Sequence, residues 1–224
     1  MRRLFTLIAI LMFGLVVNLE ANAAETTYQI LTGQNFTYDN SSYTSHKINS
    51  WFDNKGTLKL DTVNVSNNKL LKKASNGSNH SAVYNDGGTL FITGNASNLS
   101  TFIGNQTITN GGAISNNTGE IKQIEYTSFT ENQSKYGGAI YSNKTGGIDT
   151  ISNTKFIKNT ANISGGAIDS NGLLNKIENR SNFLFVKIQH SAIAAELSYA
   201  KHECAQQNSA ADKNRSRFVR FTLY

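Results

Sequence analysis

The chain has 224 residues, no proline, one cysteine and 29 asparagines, and only 16% of it is charged, below the roughly 25% of an average soluble protein. So polar a chain with so little charge is neither an ordinary enzyme domain nor a charge-rich disordered segment. The net charge of +6 divides as +1 over residues 1–23, +2 over 24–183 and +3 over 184–224, with no basic stripe interleaved with aromatics, which excludes a nucleic-acid interface.

The first 23 residues read as an export signal. Arg2 and Arg3 precede the apolar stretch Leu4 to Val17, and Ala21-Asn22-Ala23 forms a small-residue site for cleavage after Ala23. These 14 apolar residues fall short of the about 20 that a spanning helix needs, so an uncleaved anchor is the weaker alternative. Arg2-Arg3-Leu4-Phe5 partly matches a twin-arginine signal, but the apolar stretch behind it favours the ordinary secretory route. The mature chain is expected to start at Ala24, outside the cytoplasm. There the single Cys204 can close no disulfide within the chain.

Residues 24–100 carry a worn form of a pattern that becomes regular downstream. Val65-Ser66-Asn67-Asn68 and Ser81-Ala82-Val83-Tyr84-Asn85 are its remnants, and Gly88-Thr89-Leu90-Phe91-Ile92 is a strand between them. The expected arrangement is an N-terminal cap followed by degenerate coils, with Tyr43 and Trp51 in the core of the cap.

Over residues 101–183 the pattern is plain. Phe-x-x-Asn occurs at Phe102…Asn105, Phe129…Asn132 and Phe156…Asn159, with the phenylalanines 27 residues apart each time. Gly-Gly-Ala-Ile occurs at Gly111-Gly112-Ala113-Ile114, Gly137-Gly138-Ala139-Ile140 and Gly165-Gly166-Ala167-Ile168. An apolar pair completes each unit: Ile121 and Ile124, Ile148 and Ile151, Leu174 and Ile177. Short strands recurring at this period predict a parallel β-helix of about 27 residues per coil rather than an antiparallel sandwich, whose turns would recur every 8–12 residues. Identical positions then lie above one another about 4.8 Å apart. The phenylalanines and isoleucines should form interior columns, and Asn105, Asn132 and Asn159 an amide ladder at a corner. The glycines should serve a tight bend.

Phe-x-x-Asn paired with Gly-Gly-Ala-Ile on an exported, asparagine-rich, cysteine-poor chain resembles the polymorphic outer membrane protein repeat of autotransporter passengers and related adhesins. The resemblance covers residues 102–183 well and 58–101 weakly. It implies a right-handed parallel β-helix shown at the cell surface and held by a C-terminal outer-membrane barrel. Members carry more repeats and a large barrel, so this chain is expected to be a truncated relative, soluble in the periplasm, while a full-length relative reaches the surface. Its partner would be a host-cell or extracellular macromolecule. It would meet the outer membrane only through the barrel it lacks.

Residues 184–224 leave the pattern. Phe183 keeps the register, yet Val186 stands where asparagine is due, and all 18 glycines lie at or before Gly172. A fourth isoleucine of the column would fall in the AIAA of residues 192–195. The segment 188–203 reads as a short cap helix, as an out-of-frame tail, or, from Glu196-Leu197-Ser198-Tyr199 and Phe218-Val219-Arg220-Phe221, as one barrel hairpin; a barrel needs at least about 8 strands.

Parallel β-helices also serve carbohydrate-cleaving enzymes, which need two carboxyl groups about 5–9.5 Å apart. Within 58–183 stacking places Glu131 between Gly104 and Lys158, and Asp169 beyond Tyr141 and Ser115, so no acids stack. Glu125 and Asp149 are the one pair that neighbouring positions bring near. Catalysis is therefore the second reading, and binding the first. His46, His80, His190 and His202 are scattered, and the His202/Cys204 pair has no second pair to complete a metal site. No metal and no cofactor is expected, and without an acidic Gly-Gly-x-Gly-x-Asp unit there is no calcium roll.

Overall fold

The structure, a computed structural model, describes residues 27–45, 50–70, 81–179, 188–190 and 196–199. The expected export signal with Ala21 and Ala23, the residues His46, His80, Phe183, Val186, His202 and Cys204, and the stretch from Phe218 onward lie outside them.

Among the described residues every regular element is a strand, and the strands form four sheets whose members run parallel. The first face holds Tyr28–Ile30, Phe52–Asn54, Val83–Asn85, Ile114–Asn116, Ile140–Ser142, Ile168–Ser170 and Ile188–His190. The second holds Asn35–Asp39, Thr57–Asp61, Thr89–Thr93, Glu120–Glu125, Gly147–Ser152, Leu173–Asn179 and Glu196–Tyr199. The third holds Ser42–Thr44, Asn64–Ser66, Ser100–Ile103, Thr127–Thr130 and Lys155–Ile157. The fourth holds Lys69–Leu70, Gln106–Thr107, Gln133–Tyr136 and Thr160–Ser164. The chain visits the faces in that order and then starts again one rung higher, so this is a parallel β-helix and not a sandwich. Every ladder joins strands from successive rungs, so inner strands bond to the rung above and the rung below.

Register follows the repeat. Phe102 pairs with Phe129, and Phe129 with Phe156. Ile114 pairs with Ile140, and Ile140 with Ile168. The worn upstream pattern takes the same places: Val65 lies under Phe102 and Val83 under Ile114. Val65 and Phe102 are 37 residues apart in sequence yet paired in register, and the described connection at 94–99 lies between the strands Thr89–Thr93 and Ser100–Ile103.

The inward columns of isoleucine, leucine, valine and phenylalanine form one continuous core. The first rung ends those columns with aromatics: Tyr28 on Phe52, Tyr38 on Leu60 and Tyr43 on Val65. Their rings meet edge-on, 5.3 Å apart for Tyr28 and Tyr38 and 4.9 Å for Tyr43 and Phe52, within the range that favours such pairs. These rings cover the apolar atoms at the end of the stack, and burial pushes the Tyr43 phenol up to about 12. Tyr43 is buried and Trp51 packs beside it, but both belong to regular rungs rather than to a separate cap.

The region after 184 corrects two expectations. Ile188–His190 and Glu196–Tyr199 are strands, where a helix over 188–203 was one reading. Ile188, not a residue of 192–195, follows Ile168 in its column, and Leu197 follows Ile177. The physical reason is the free sheet edge left by the sixth rung. It offers unpaired backbone groups to any alternating segment within reach, and that gain outweighs a helical preference as weak as the one in this stretch.

Candidate binding surface

The repeated residues build the interior and the corners, not a pocket. Phe102, Phe129 and Phe156 stack with ring centroids 5.0 and 5.1 Å apart. The side-chain amide of Asn105 donates to Asn132 at 3.0 Å, and that of Asn132 donates to Asn159 at 2.9 Å. Asn68 extends this ladder downward, donating to Asn105 at 2.7 Å. In each Gly-Gly-Ala-Ile the first glycine, such as Gly137 with φ of 62°, sits in the left-handed region. The second is crowded by the next rung: a Cβ on Gly138 would lie 2.1 Å from the Gly166 carbonyl oxygen. Ala113, Ala139 and Ala167 then bury a small side chain before Ile114, Ile140 and Ile168 enter the core.

Sequence reasoning missed a second ladder on the first face. Asn54 donates to Asn85, Asn85 to Asn116, and Asn116 to the Ser142 hydroxyl, at 2.7, 2.8 and 3.0 Å. The signal was present in Tyr84-Asn85 and Ser115-Asn116, but Ser142 and Ser170 break the asparagine pattern in the best repeats. Also missed was a column of left-handed residues at Asn67, Gly104, Glu131 and Lys158, each just before a ladder asparagine. Glu131 and Lys158 in that column form an exposed ion pair at 3.7 Å.

Over residues 58–183 two acids, Glu120 and Asp149, are brought together, but around a lysine. Lys122 sits between Glu120 and Asp149, at 2.5 and 2.9 Å, and Glu125 accepts from Gln123 and Asn153 instead of facing Asp149. Asp39 and Asp61, of which only the second falls in that window, stand in register on the second face. Asp169, between Tyr141 and the seventh rung, is 4% exposed. Burial pushes its carboxyl above the ordinary value, and the Ser164 hydroxyl that donates to it offsets part of the shift. Burial likewise pushes the Tyr84 phenol up to about 12. Among the described residues no group of three or more His, Cys, Asp or Glu is placed to hold a metal ion, and no helix is long and apolar enough to cross a membrane.

Among the described residues two shallow grooves mark the outside. One, of about 280 Å³, runs along the fourth face over Gln106, Gln133 and Lys135 between Ile108 and Ile163. Another, of about 380 Å³, crosses the second face beside Asn35, Thr57, Lys59 and Phe91. Such sites hold a drug-sized molecule only when they bury most of it, and these open faces are suited to a macromolecular surface.

The fold and its outward faces define a solenoid scaffold, a protein whose interior is fixed by repeats and whose sides are free to vary. Residues 99–117 and 126–143 match the Chlamydia polymorphic membrane protein (Chlamydia_PMP) repeat, so the chain carries the repeat of the polymorphic outer membrane protein family. That family is one of surface-exposed bacterial proteins of the autotransporter kind and is generally non-catalytic. No curated protein and no solved structure matches the chain significantly.

Proposed function

We propose that the chain is an adhesin-like, passenger-type portion of an exported bacterial surface protein, which acts by binding a host-cell or extracellular macromolecule and not by catalysis. The observation that carries the reading is the division of labour within the repeat. Phe102, Asn105, Gly138 and Ile140 and their counterparts are spent on the interior, while Glu120 and Asp149, the acids that meet on the second face, are held in an ion pair with Lys122. The repeat family argues for the bacterial surface as the place of action rather than the periplasm.

The test is saturable binding of the labelled full chain to cultured host cells, competed by unlabelled protein. Binding that never saturates, or that unlabelled protein fails to compete, rejects the reading. The alternative, a carbohydrate-cleaving β-helix, has its best footing at Asp39 and Asp61, whose strands lie one rung apart, about 4.8 Å. Release of reducing or unsaturated sugar ends from a polysaccharide panel, abolished by Asp61→Asn, would establish it.

A further inference from the structure

We propose that the corner between the third and fourth faces is a docking edge for an anionic lipid bilayer. The inference goes beyond the binding reading above and does not depend on it.

Four exposed isoleucines lie on the two faces that meet at this corner. Ile103 and Ile157 stand on the third face, Ile108 and Ile163 beside the fourth, and they are 36–56% exposed. They make up most of the large apolar side chains exposed among the described residues, so the apolar surface is concentrated here. Ile103 and Ile157 belong to one column with Thr130 between them, two rungs or about 9.6 Å apart. On the fourth face Lys135 stands in the groove between Ile108 and Ile163.

Charge is divided to match. The third and fourth faces and their corner carry Lys69, Lys135, Lys155 and Lys158 against Glu131 alone. The second face carries seven acids, from Asp39 and Asp61 up to Glu178 and Glu196, against the three lysines Lys59, Lys122 and Lys176. By these counts one side is +3 and the other −4. A field of this shape turns the isoleucine edge toward an anionic plane and the acidic face away from it.

The geometry selects among occupants. The corner backbone is already paired to the next rung, as in Gly104 N–H to Thr130 O and Glu131 N–H to Ile157 O, so an extended peptide cannot add as a strand. A second copy offering the same edge would set lysine against lysine. A lipid interface conforms to a convex edge. It takes the isoleucines below the headgroups while lysine stems lie along them and the ammonium groups meet phosphates.

The experiment places an environment-sensitive nitrobenzoxadiazole label on the full chain in a Cys204→Ser background, at Ile157→Cys or, on the second face, at Leu173→Cys. The probes are vesicles of phosphatidylcholine with about 30% phosphatidylglycerol, and vesicles of phosphatidylcholine alone. Comparing two labelled positions reads which face enters the interface, whatever affinity the apolar Leu4–Val17 stretch has for lipid. The expected result is a blue shift at position 157 with anionic vesicles and none at 173. Adding Lys135→Glu and Lys155→Glu should lower the apparent partition at least roughly tenfold, and high salt should act in the same direction. No shift at 157, an equal shift at 173, or a shift that neutral vesicles reproduce and charge reversal spares would overturn the proposal. Loss of saturable host-cell binding on charge reversal, without any vesicle response, would also overturn it while leaving the adhesin reading in place.

Discussion

Asn105 and Asn132 are joined twice: the side-chain oxygen of Asn132 accepts from both the backbone N–H and the side-chain amide of Asn105, each at 3.0 Å. Asn132 itself donates to the Phe102 carbonyl at 2.8 Å and to Asn159. One fully buried amide thus closes the corner of two rungs. Asn132→Ala leaves several buried groups unpaired, each worth about 1–3 kcal/mol, so a loss of roughly 3 kcal/mol or more is expected in urea denaturation. Asn132→Asp should be no milder, because it turns an acceptor toward the Phe102 and Asn159 oxygens. A loss under about 1 kcal/mol in both would reject the ladder.

Phe129 lies between two stacked rings and is fully buried. Phe129→Ala should cost about 3–5 kcal/mol, with Phe129→Leu distinctly less, since leucine refills most of the space. Equilibrium unfolding of the two variants checks the order as well as the size.

Two glycines should behave in opposite ways. A Cβ on Gly138 meets backbone atoms of Gly166 and Thr160 at 2.1–2.7 Å, none of which belongs to a movable side chain. A Cβ on Gly147 meets only Glu120 Cγ, at 3.9 Å. Gly138→Ala should therefore prevent folding or lower the melting temperature sharply. Gly147→Ala should be neutral or stabilise by up to about 1 kcal/mol, because alanine loses less backbone freedom on folding.

Asp169 gives a pH dependence. Its carboxyl is raised by burial, so the folded chain holds a proton that the unfolded chain releases. Stability then falls as pH rises from the ordinary carboxylate value of 3.8 through the raised one, and the deficit persists at neutral pH. Asp169→Asn keeps the shape and an oxygen to accept from Ser164. It should melt higher than the parent at pH 7, and the gain should shrink toward zero near pH 4 and below. An equal shift at both pH values would mean that ionisation is not the cause.

Much of this fold was legible because a parallel solenoid converts sequence period directly into spatial register. The spacing of 27 residues was enough to place Phe102, Phe129 and Phe156 in one column and Glu131 beside Lys158. Val65 and Val83 were recognisable as worn counterparts although longer connections hide their period. The first-face ladder was harder, because Ser142 substitutes for asparagine as an acceptor and leaves no repeated letter. The tyrosine end was read only at Tyr43, expected in the cap core; Tyr28 and Tyr38 were missed because they repeat a direction, inward, rather than a residue type. The strands at Ile188 and Glu196 depend on a free sheet edge, which is a property of the folded stack and not of the local sequence. The outward surface was least legible, since the letters that vary between repeats, such as Ile103, Thr130 and Ile157, are the ones that face out.

Disulfide trapping tests the central claim, that successive repeats are successive rungs in register, most directly. Gln106 and Gln133 are Cα partners on the fourth face, with their side-chain amides 3.1 Å apart, and Thr160 is the partner of Gln133 one rung on. In a Cys204→Ser background, Gln106→Cys with Gln133→Cys places the Cα atoms about 4.8 Å apart, inside the range a disulfide spans. Gln106→Cys with Thr160→Cys places them about 9.6 Å apart, outside it. Mild oxidation of the folded chain should lock the first pair nearly completely within the monomer and leave the second as free thiols. Equal oxidation of both pairs, or of the second alone, would contradict the stacked-rung account.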